Sequence, residues 1–486
     1  MNESKSLSPE VAQTPSTNVS TRQTEAISRA IIGERVRLAR IAANLTQQEL
    51  AGDTYSKSYI SAVERGKMTP SFQALNVLAE RLGRSISYFL GEGEADWEAV
   101  MGNDPSLSGL SEEDRQQREA EARHMLQEAE ELLGKGQPEK ALETLHVAAN
   151  EPPVSLTFSE RPRWYLLASK AAMRMRQFPE AISWLERGLE VIDGMLAQAP
   201  PTKRAQLREM AERLREYLGG CYYDTGKPSK ALEYHSRCLA AISEGVVTDQ
   251  ELKLLIFKAL GNDHQMLGHH QEAIGFYMRA CALAEDMNNP RQSALAQWGL
   301  GLAYRTSGDL IRAETAFRKA LMIFEQQDDV QSASQLHALM GLMLTERKEY
   351  QTAERHLHLS LDYAERLGDA HACGVAQGNL ATFHLEQDHA DEAVNAAQAG
   401  LRVLQESDDH RTLGQLYLTL ADAHAKKPDN AAAEQAHKEA ITTFAKTKEN
   451  KLIGRSYERY GQFLADLGRF EEAYEQMGLA QDALAR

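Results

Sequence analysis

The sequence predicts an all-α chain: a small bundle of short helices near the N-terminus, then a long array of paired helices. Three observations carry this. Only 14 of 486 residues are Pro and 7% are aromatic, while Ala, Leu, Glu and Gln abound, a composition that favours helices. No stretch alternates apolar and polar residues long enough to read as a strand. A small residue also recurs every 40 positions through the C-terminal half, so one helical unit is copied many times. The length exceeds one ordinary domain and suits a small domain joined to a repeat array.

Taken in order, residues 1–27 are rich in Ser, Thr, Gln and Asn without hydrophobic period and are expected to be a disordered tail. They lack the apolar core of a signal peptide, and no apolar run of membrane-spanning length follows, so a cytoplasmic protein without membrane contact is expected. A first helix is expected over residues 28–43, with Ile32, Val36, Leu38 and Ile41 apolar and Arg35, Arg37 and Arg40 available to solvent or phosphate. The next stretch, LTQQELAGDTYSKSYISAVERG at 45–66, opens on a T-x-x-E capping box, Thr46 and Glu49, which starts a helix at Gln47. Gly52 and Asp53 break that helix, Ser56 caps a second, and Ile60 and Val63 give the second its buried stripe. Ser71 caps a fourth helix carrying Phe72, Leu75, Leu78 and Leu82, Gly83 ends it, and residues 85–90 close a five-helix domain over 28–92.

This domain resembles the XRE-type (lambdoid phage repressor) helix-turn-helix family. The matching residues are R-x-x-R at 37–40, LTQQELA at 45–51, S-x-S-Y-I-S at 56–61, ERGKMTPS at 64–71, LAERLG at 78–83 and SISYFL at 85–90. The resemblance implies a recognition helix in the DNA major groove. Base-reading positions then fall on Lys57, Ser58 and Ala62, where Lys57 suits guanine and Ala62 could meet only a thymine methyl. Gln47 would touch phosphate and a base edge, and Tyr59, Ser61, Arg65 and Lys67 are candidates for backbone contacts. Glu64 and Arg65 have an alternative reading as a helix-end ion pair. Charge agrees with a DNA-binding head: residues 28–92 hold 9 Lys and Arg against 6 Asp and Glu, whereas residues 93–486 hold 43 against 61.

Residues 93–114 are acidic, Gly-rich and weakly periodic, a linker with a short helix near Trp97. Beyond it, small residues align at Ala141, Ala181, Ala231, Ala273, Ala313, Ala353, Ala393, Ala433 and Ala473, the last six spaced by 40. Twelve residues before those six stand Gly261, Gly301, Gly341, Ala381, Ala421 and Gly461. Small residues there let two antiparallel helices approach, and Tyr277 and Phe317 fill the space between. The pattern resembles the tetratricopeptide repeat, plainest in WGLGLAYRTSGDLIRAETAFRKAL at 298–321 and YGQFLADLGRFEEAYEQM at 460–477. It implies a right-handed superhelical solenoid of about nine helix pairs over 115–486. Spacings of 40, 50 and 42 leave the phase of the first units open. The first helix of each pair would line a concave groove, and counting back from each alignment Ala places Arg213, Glu216, Lys258, Asn262, Gln265, Trp298 and Arg305 there. Arg213, Lys258, Asn262, Gln265, Trp298 and Arg305 suit an extended peptide: amides for its backbone, an aromatic for a side chain, cations for a carboxylate.

Other chemistries find little support. The four cysteines, Cys221, Cys238, Cys281 and Cys373, are scattered without a C-x-x-C pair and read as buried thiols. His356 and His358 are two apart on a helix and diverge, so no metal is expected. Gly220-CYYDT-Gly226-Lys227 has the wrong spacing for a phosphate loop. No catalytic constellation is present, and no enzyme activity or cofactor is expected. The order of head and array resembles the peptide-responsive RRNPP regulators of bacteria. That resemblance implies a transcription factor, dimeric through its array, that binds a double-stranded DNA operator and whose groove takes a short signalling peptide. The alternative is an adaptor whose array docks a protein partner, with the head placing it on DNA.

Overall fold

The computed structural model describes residues 18–84, 86–90, 112–146, 160–197, 199, 201–447 and 449–485. They are helices joined by tight turns, and no strand occurs among the described residues. The chain divides into two compact units, Met1–Ala259 and Leu260–Arg486.

The head of the first unit comprises α1 Asn18–Ala42, α2 Gln47–Ala51, α3 Lys57–Glu64, α4 Phe72–Arg81 and α5 Ile86–Leu90. Its caps are those the sequence predicts. Glu49 N donates to Thr46 Oγ1 at 3.2 Å while Thr46 N donates to Glu49 Oε2 at 2.7 Å, which satisfies two amides that would otherwise lack acceptors. Ser56 and Ser71 accept from the amides of Tyr59 and Ala74, each at 3.1 Å. Ile32, Val36, Leu50, Ile60, Val63, Leu75, Leu78 and Phe89 form the core, each fully buried. At Gly33 a Cβ would lie 2.3 Å from the Val63 carbonyl oxygen, so only glycine lets α1 meet α3 this closely.

Two expectations change in α1. The helix starts at Asn18, so residues 18–27 belong to it and not to a disordered tail. Its core face is Ile32, Val36 and Ala39; Leu38 and Ile41 are each 51% exposed. Residues 32, 36 and 39 follow the i, i+4, i+7 pattern of one face, whereas 38 falls about a third of a turn away and 41 about half a turn away. The expected linker, with its helix near Trp97, lies outside the described residues except where residues 112–114 begin the next helix.

The array follows as nine helix pairs among the described residues. In the first unit these are α6 Glu112–Gly134 with α7 Pro138–His146, α8 Glu160–Arg174 with α9 Phe178–Leu196, and α10 Pro201–Asp224 with α11 Pro228–Ser243. Then come α12 Gln250–Met266, α13 His270–Asp286, α14 Pro290–Thr306, α15 Leu310–Gln326, α16 Val330–Glu346 and α17 Tyr350–Leu367. The last are α18 Ala370–Glu386, α19 Ala390–Val403, α20 His410–Lys426, α21 Asn430–Ala445, α22 Asn450–Asp466 and α23 Phe470–Ala485. First helices from α12 onward begin 40 residues apart, at Gln250, Pro290, Val330, Ala370, His410 and Asn450. This is the solenoid the small-residue period predicts.

The packing explains the period. Every alignment alanine is buried, eight of the nine fully and Ala473 at 6% exposure. A Cβ at Gly261 would lie 2.8 Å from the Tyr277 ring, one at Gly301 2.5 Å from the Phe317 ring, and one at Gly341 2.6 Å from Leu357. Each first helix thus leaves a notch that a large residue of its partner fills. Asn289, Asp309, Asp329, Asp369, Asp409 and Asp429 cap the helices that follow them, each accepting from the amide three residues on. All four cysteines are buried and unpaired; burial pushes the Cys221 and Cys281 thiols up to about 12.

Candidate functional site

The recognition helix α3 is held from behind by one buried carboxylate. Glu64, 7% exposed, takes Arg40 Nε at 2.5 Å and Arg40 Nη2 at 3.1 Å, and it also accepts from Gln47 Nε2 at 2.7 Å. Arg40 Nη1 reaches the Leu45 carbonyl at 2.8 Å. One bidentate pair therefore joins α1, the entry to α2 and the end of α3. The hydrogen bond to Glu64 raises the Arg40 pKa against the opposing effect of burial. This corrects two expectations. Arg40 is not a free phosphate ligand, and Glu64 pairs with Arg40 across the fold rather than with Arg65 at the helix end. Arg35 is likewise drawn inward, donating to the Phe89 carbonyl at 3.1 Å. Arg81 closes the C-terminus of α2 through the Leu50 carbonyl at 2.9 Å and the Ala51 carbonyl at 2.5 Å.

The opposite side of α3 is open. Lys57 and Ser58 are exposed at its first turn, and the Ser58 hydroxyl lies 2.8 Å from that of Ser56. Arg65 and Lys67 are exposed beyond its last turn, and Arg65 Nε donates to the Ser61 carbonyl at 3.0 Å. Ser61 and Ala62 are half-buried. Tyr59 stacks on Tyr55 with ring centroids 4.9 Å apart, and burial pushes its hydroxyl up to about 12. Gln47, tied to Glu64, stands at the start of α2. The surface therefore offers cations at both ends of α3 and a backbone N-terminus suited to an anion.

The six expected groove residues are half-buried, and within each unit they meet neighbouring helices. In the first unit Arg213 of α10 forms an ion pair with Asp249, and Lys258 of α12 lies within electrostatic reach of Glu216. In the second, Asn262 accepts from the Tyr277 hydroxyl at 2.6 Å and Gln265 Nε2 donates to Thr306 Oγ1 at 2.9 Å. Trp298 meets Phe324 edge-on at 5.9 Å, and Arg305 Nη2 donates to Glu346 Oε1 at 2.8 Å. Trp298 Nε1 and Gln265 Oε1 are buried without a hydrogen-bond partner, which leaves one donor and one acceptor to be satisfied. Sequence reasoning missed Lys170 of α8. It lies eleven residues before Ala181, an offset that marks inward positions in later units, but the irregular spacing of the first units hid it. Among the described residues no group of three or more His, Cys, Asp and Glu is placed to hold a metal ion, and no helix is long and apolar enough to cross a membrane.

Comparison with known proteins divides along the same line. Residues 36–89 match the helix-turn-helix family, and residues 210–286 and 294–327 match tetratricopeptide repeats. Residues 337–421 match anaphase-promoting complex subunit 5 and fall on the hairpins of the second unit. The chain is 29% identical over 117 residues to the immunity repressor protein of Bacillus phage phi105, covering 24% of this chain and 78% of that one. It is 25% identical over 215 residues to the Tonsoku-like protein of Danio rerio, spanning 43% of this chain but only 14% of that protein. Among solved structures, the apo form of the quorum sensor NprR from B. thuringiensis is similar in fold at a TM-score of 0.50, with 18% identity, covering 75% of this chain and 99% of that chain. The chain is an XRE-type helix-turn-helix domain joined to tetratricopeptide repeats.

Proposed function

We propose that this protein is a sequence-specific, DNA-binding transcriptional regulator whose array binds a short signalling peptide that modulates DNA binding. The observation that carries the DNA half is α3 itself. Lys57 and Ser58 stand exposed on its first turn while Arg40, Gln47 and Glu64 fix its far end from behind. A helix so held can present two side chains to base edges without reorganising. Arg65 and Lys67 would take phosphates, with lesser contributions from Tyr59, Ser61, Ala62 and Gln47. The peptide half is supported by unsatisfied polar atoms on the first helices of the hairpins, Trp298 Nε1 and Gln265 Oε1, and by the fold shared with the quorum sensor NprR. In this reading the protein works in the cytoplasm as a homodimer whose two heads meet two half-sites, and it carries out no reaction.

The test is selection of operator DNA by the purified full chain, with and without a pool of short peptides. Selection should yield a two-fold symmetric site. Lys57→Ala with Ser58→Ala should abolish sequence preference, each lost base contact being worth about 1–3 kcal/mol, while far-ultraviolet circular dichroism stays unchanged. Unchanged selection by the double variant would sink the DNA assignment. Operator binding indifferent to every peptide would leave the array as an adaptor for a protein partner.

A further inference from the structure

Within the second unit, the hairpin of α14 and α15 differs from the next one where its helices meet the preceding α13. The 40-residue register sets Gln297 of α14 against His337 of α16, Ala316 of α15 against His356 of α17, and Glu285 of α13 against Glu325 of α15. In the later hairpin these side chains close on one another. The His337 ring has His356 Nδ1 at 2.8 Å from one nitrogen and Glu325 Oε1 at 3.3 Å from the other. In the earlier hairpin Ala316 leaves the place of the second imidazole unfilled. A cavity of about 360 Å³ opens there, with Gln297, Glu285 and Ala316 in its wall. Cys281, where the later hairpin has the larger Leu321, widens it.

Gln297 is 6% exposed, and its carboxamide has no hydrogen bond among the described residues. A buried amide ordinarily has partners. The next hairpin shows which group sits opposite this position: a flat ring with nitrogen at its edge. Arg312 and Lys319 stand one turn either side of Ala316 on α15 and also line the cavity. Arg312 lies 5.7 Å from the centroid of the Tyr304 ring and pairs with Asp309 at 3.3 Å, whereas Lys319 is exposed. Met278, 54% exposed, forms an apolar rim that a ring can cover. This is not the expected peptide groove, since Gln297 and Tyr304 lie about a third of a turn around α14 from Trp298 and Arg305.

We propose that this cavity binds a small planar heteroaromatic ligand bearing an anionic group. The ring takes the place that His356 fills in the next hairpin and exchanges hydrogen bonds with the Gln297 carboxamide, which can donate and accept at once. Glu285 accepts from a ring N–H or an amino group on the ring, and the anionic group meets Lys319 and Arg312. The volume falls at the small end of ligand cavities. The site stands independently of the reading of the array as a peptide receptor.

The experiment titrates the full-length protein with two pairs of probes, followed by ligand-observed nuclear magnetic resonance. One pair is nicotinate and nicotinamide, the other adenosine 5′-monophosphate and adenosine. In at least one pair the anionic member should bind, and about tenfold tighter than its neutral counterpart, since a charge-assisted contact is gained; which pair binds gives the ring size. Ala316→His installs the imidazole of the next hairpin and Cys281→Leu its larger aliphatic side chain. Either should weaken the bound probe about tenfold or more, with the urea midpoint showing that the fold is kept. Lys319→Gln, at an exposed position that leaves the core untouched, should erase the preference for the charged member. A probe bound as tightly by the filled-cavity variants as by the parent would overturn the site. So would neutral probes that bind as tightly as the anionic ones, or no binding of either pair at about 1 mM.

Discussion

At the scale of the residue, Glu64 decides whether α3 can serve as a reader. Its side chain is 3% exposed and that of Arg40 15% exposed, so the pair is shielded from water and is worth more than a surface bridge. Removing only one partner strands a charge. Glu64→Ala is expected to cost about 3 kcal/mol, as broken buried pairs do, and to unfasten Gln47 as well. Hydrogen exchange at the Ile60 and Val63 amides should accelerate accordingly. Arg40→Met with Glu64→Leu should restore most of the protection, because no charge is then left unpaired. Exchange in Glu64→Ala indistinguishable from the parent would mean that the pair does not hold the helix. The sequence could not reveal this pairing, since Arg40 and Glu64 are 24 residues apart and only the tertiary fold faces them. The caps of α2 and α3, by contrast, were legible, because a capping box is complete within four residues.

At the scale of the element, hairpin packing was readable wherever the 40-residue period was strict. Small residues at 261, 301 and 341 announce notches, and the structure fills them with Tyr277, Phe317 and Leu357. Gly301→Ala would set a Cβ 2.5 Å from the Phe317 ring, and the shift this forces should cost about 1–3 kcal/mol, visible as a lower urea midpoint at unchanged slope. A silent substitution would show that α14 and α15 are not locked through this contact. The same elements carry a titration that sequence alone does not show. Burial lowers His337, His356 and His437 to about 4. His337 Nδ1 faces His356 Nδ1 at 2.8 Å and its Nε2 lies 3.3 Å from Glu325 Oε1, while His437 stacks on Tyr460 at 5.4 Å. These imidazoles stay neutral in the folded chain and bind protons near pH 6.5 once unfolded. Their linkage leaves stability level above pH 7 and lowers it progressively between 6.5 and 4. Between pH 6.5 and 5 the loss should be about 2 kcal/mol for each fully buried histidine. Urea midpoints at pH 7.5 and 5.0 check the sign, and His437→Phe should flatten the difference; a greater stability at pH 5.0 would contradict it.

At the scale of the whole molecule, the division of charge bears on how many heads engage DNA. Residues 28–92 carry a small excess of cations and residues 93–486 a large excess of carboxylates, so counterion release on binding must come from the head alone. On each head, Lys57, Arg65 and Lys67 are the exposed cations flanking α3, whereas Arg35 and Arg40 are engaged with Phe89 and Glu64. Arg65 and Lys67 neutralise about two phosphates per head, Lys57 being turned to the bases, which gives a logarithmic salt slope near −2 for one head and near −4 for two heads on half-sites one helical turn apart. The steeper slope is expected from the dimer. It should fall by about two when Lys67→Ala is placed in both heads, one phosphate being lost on each side. A slope near −2 for the parent chain, with Lys67→Ala removing about one, would mean that a single head is bound at a time.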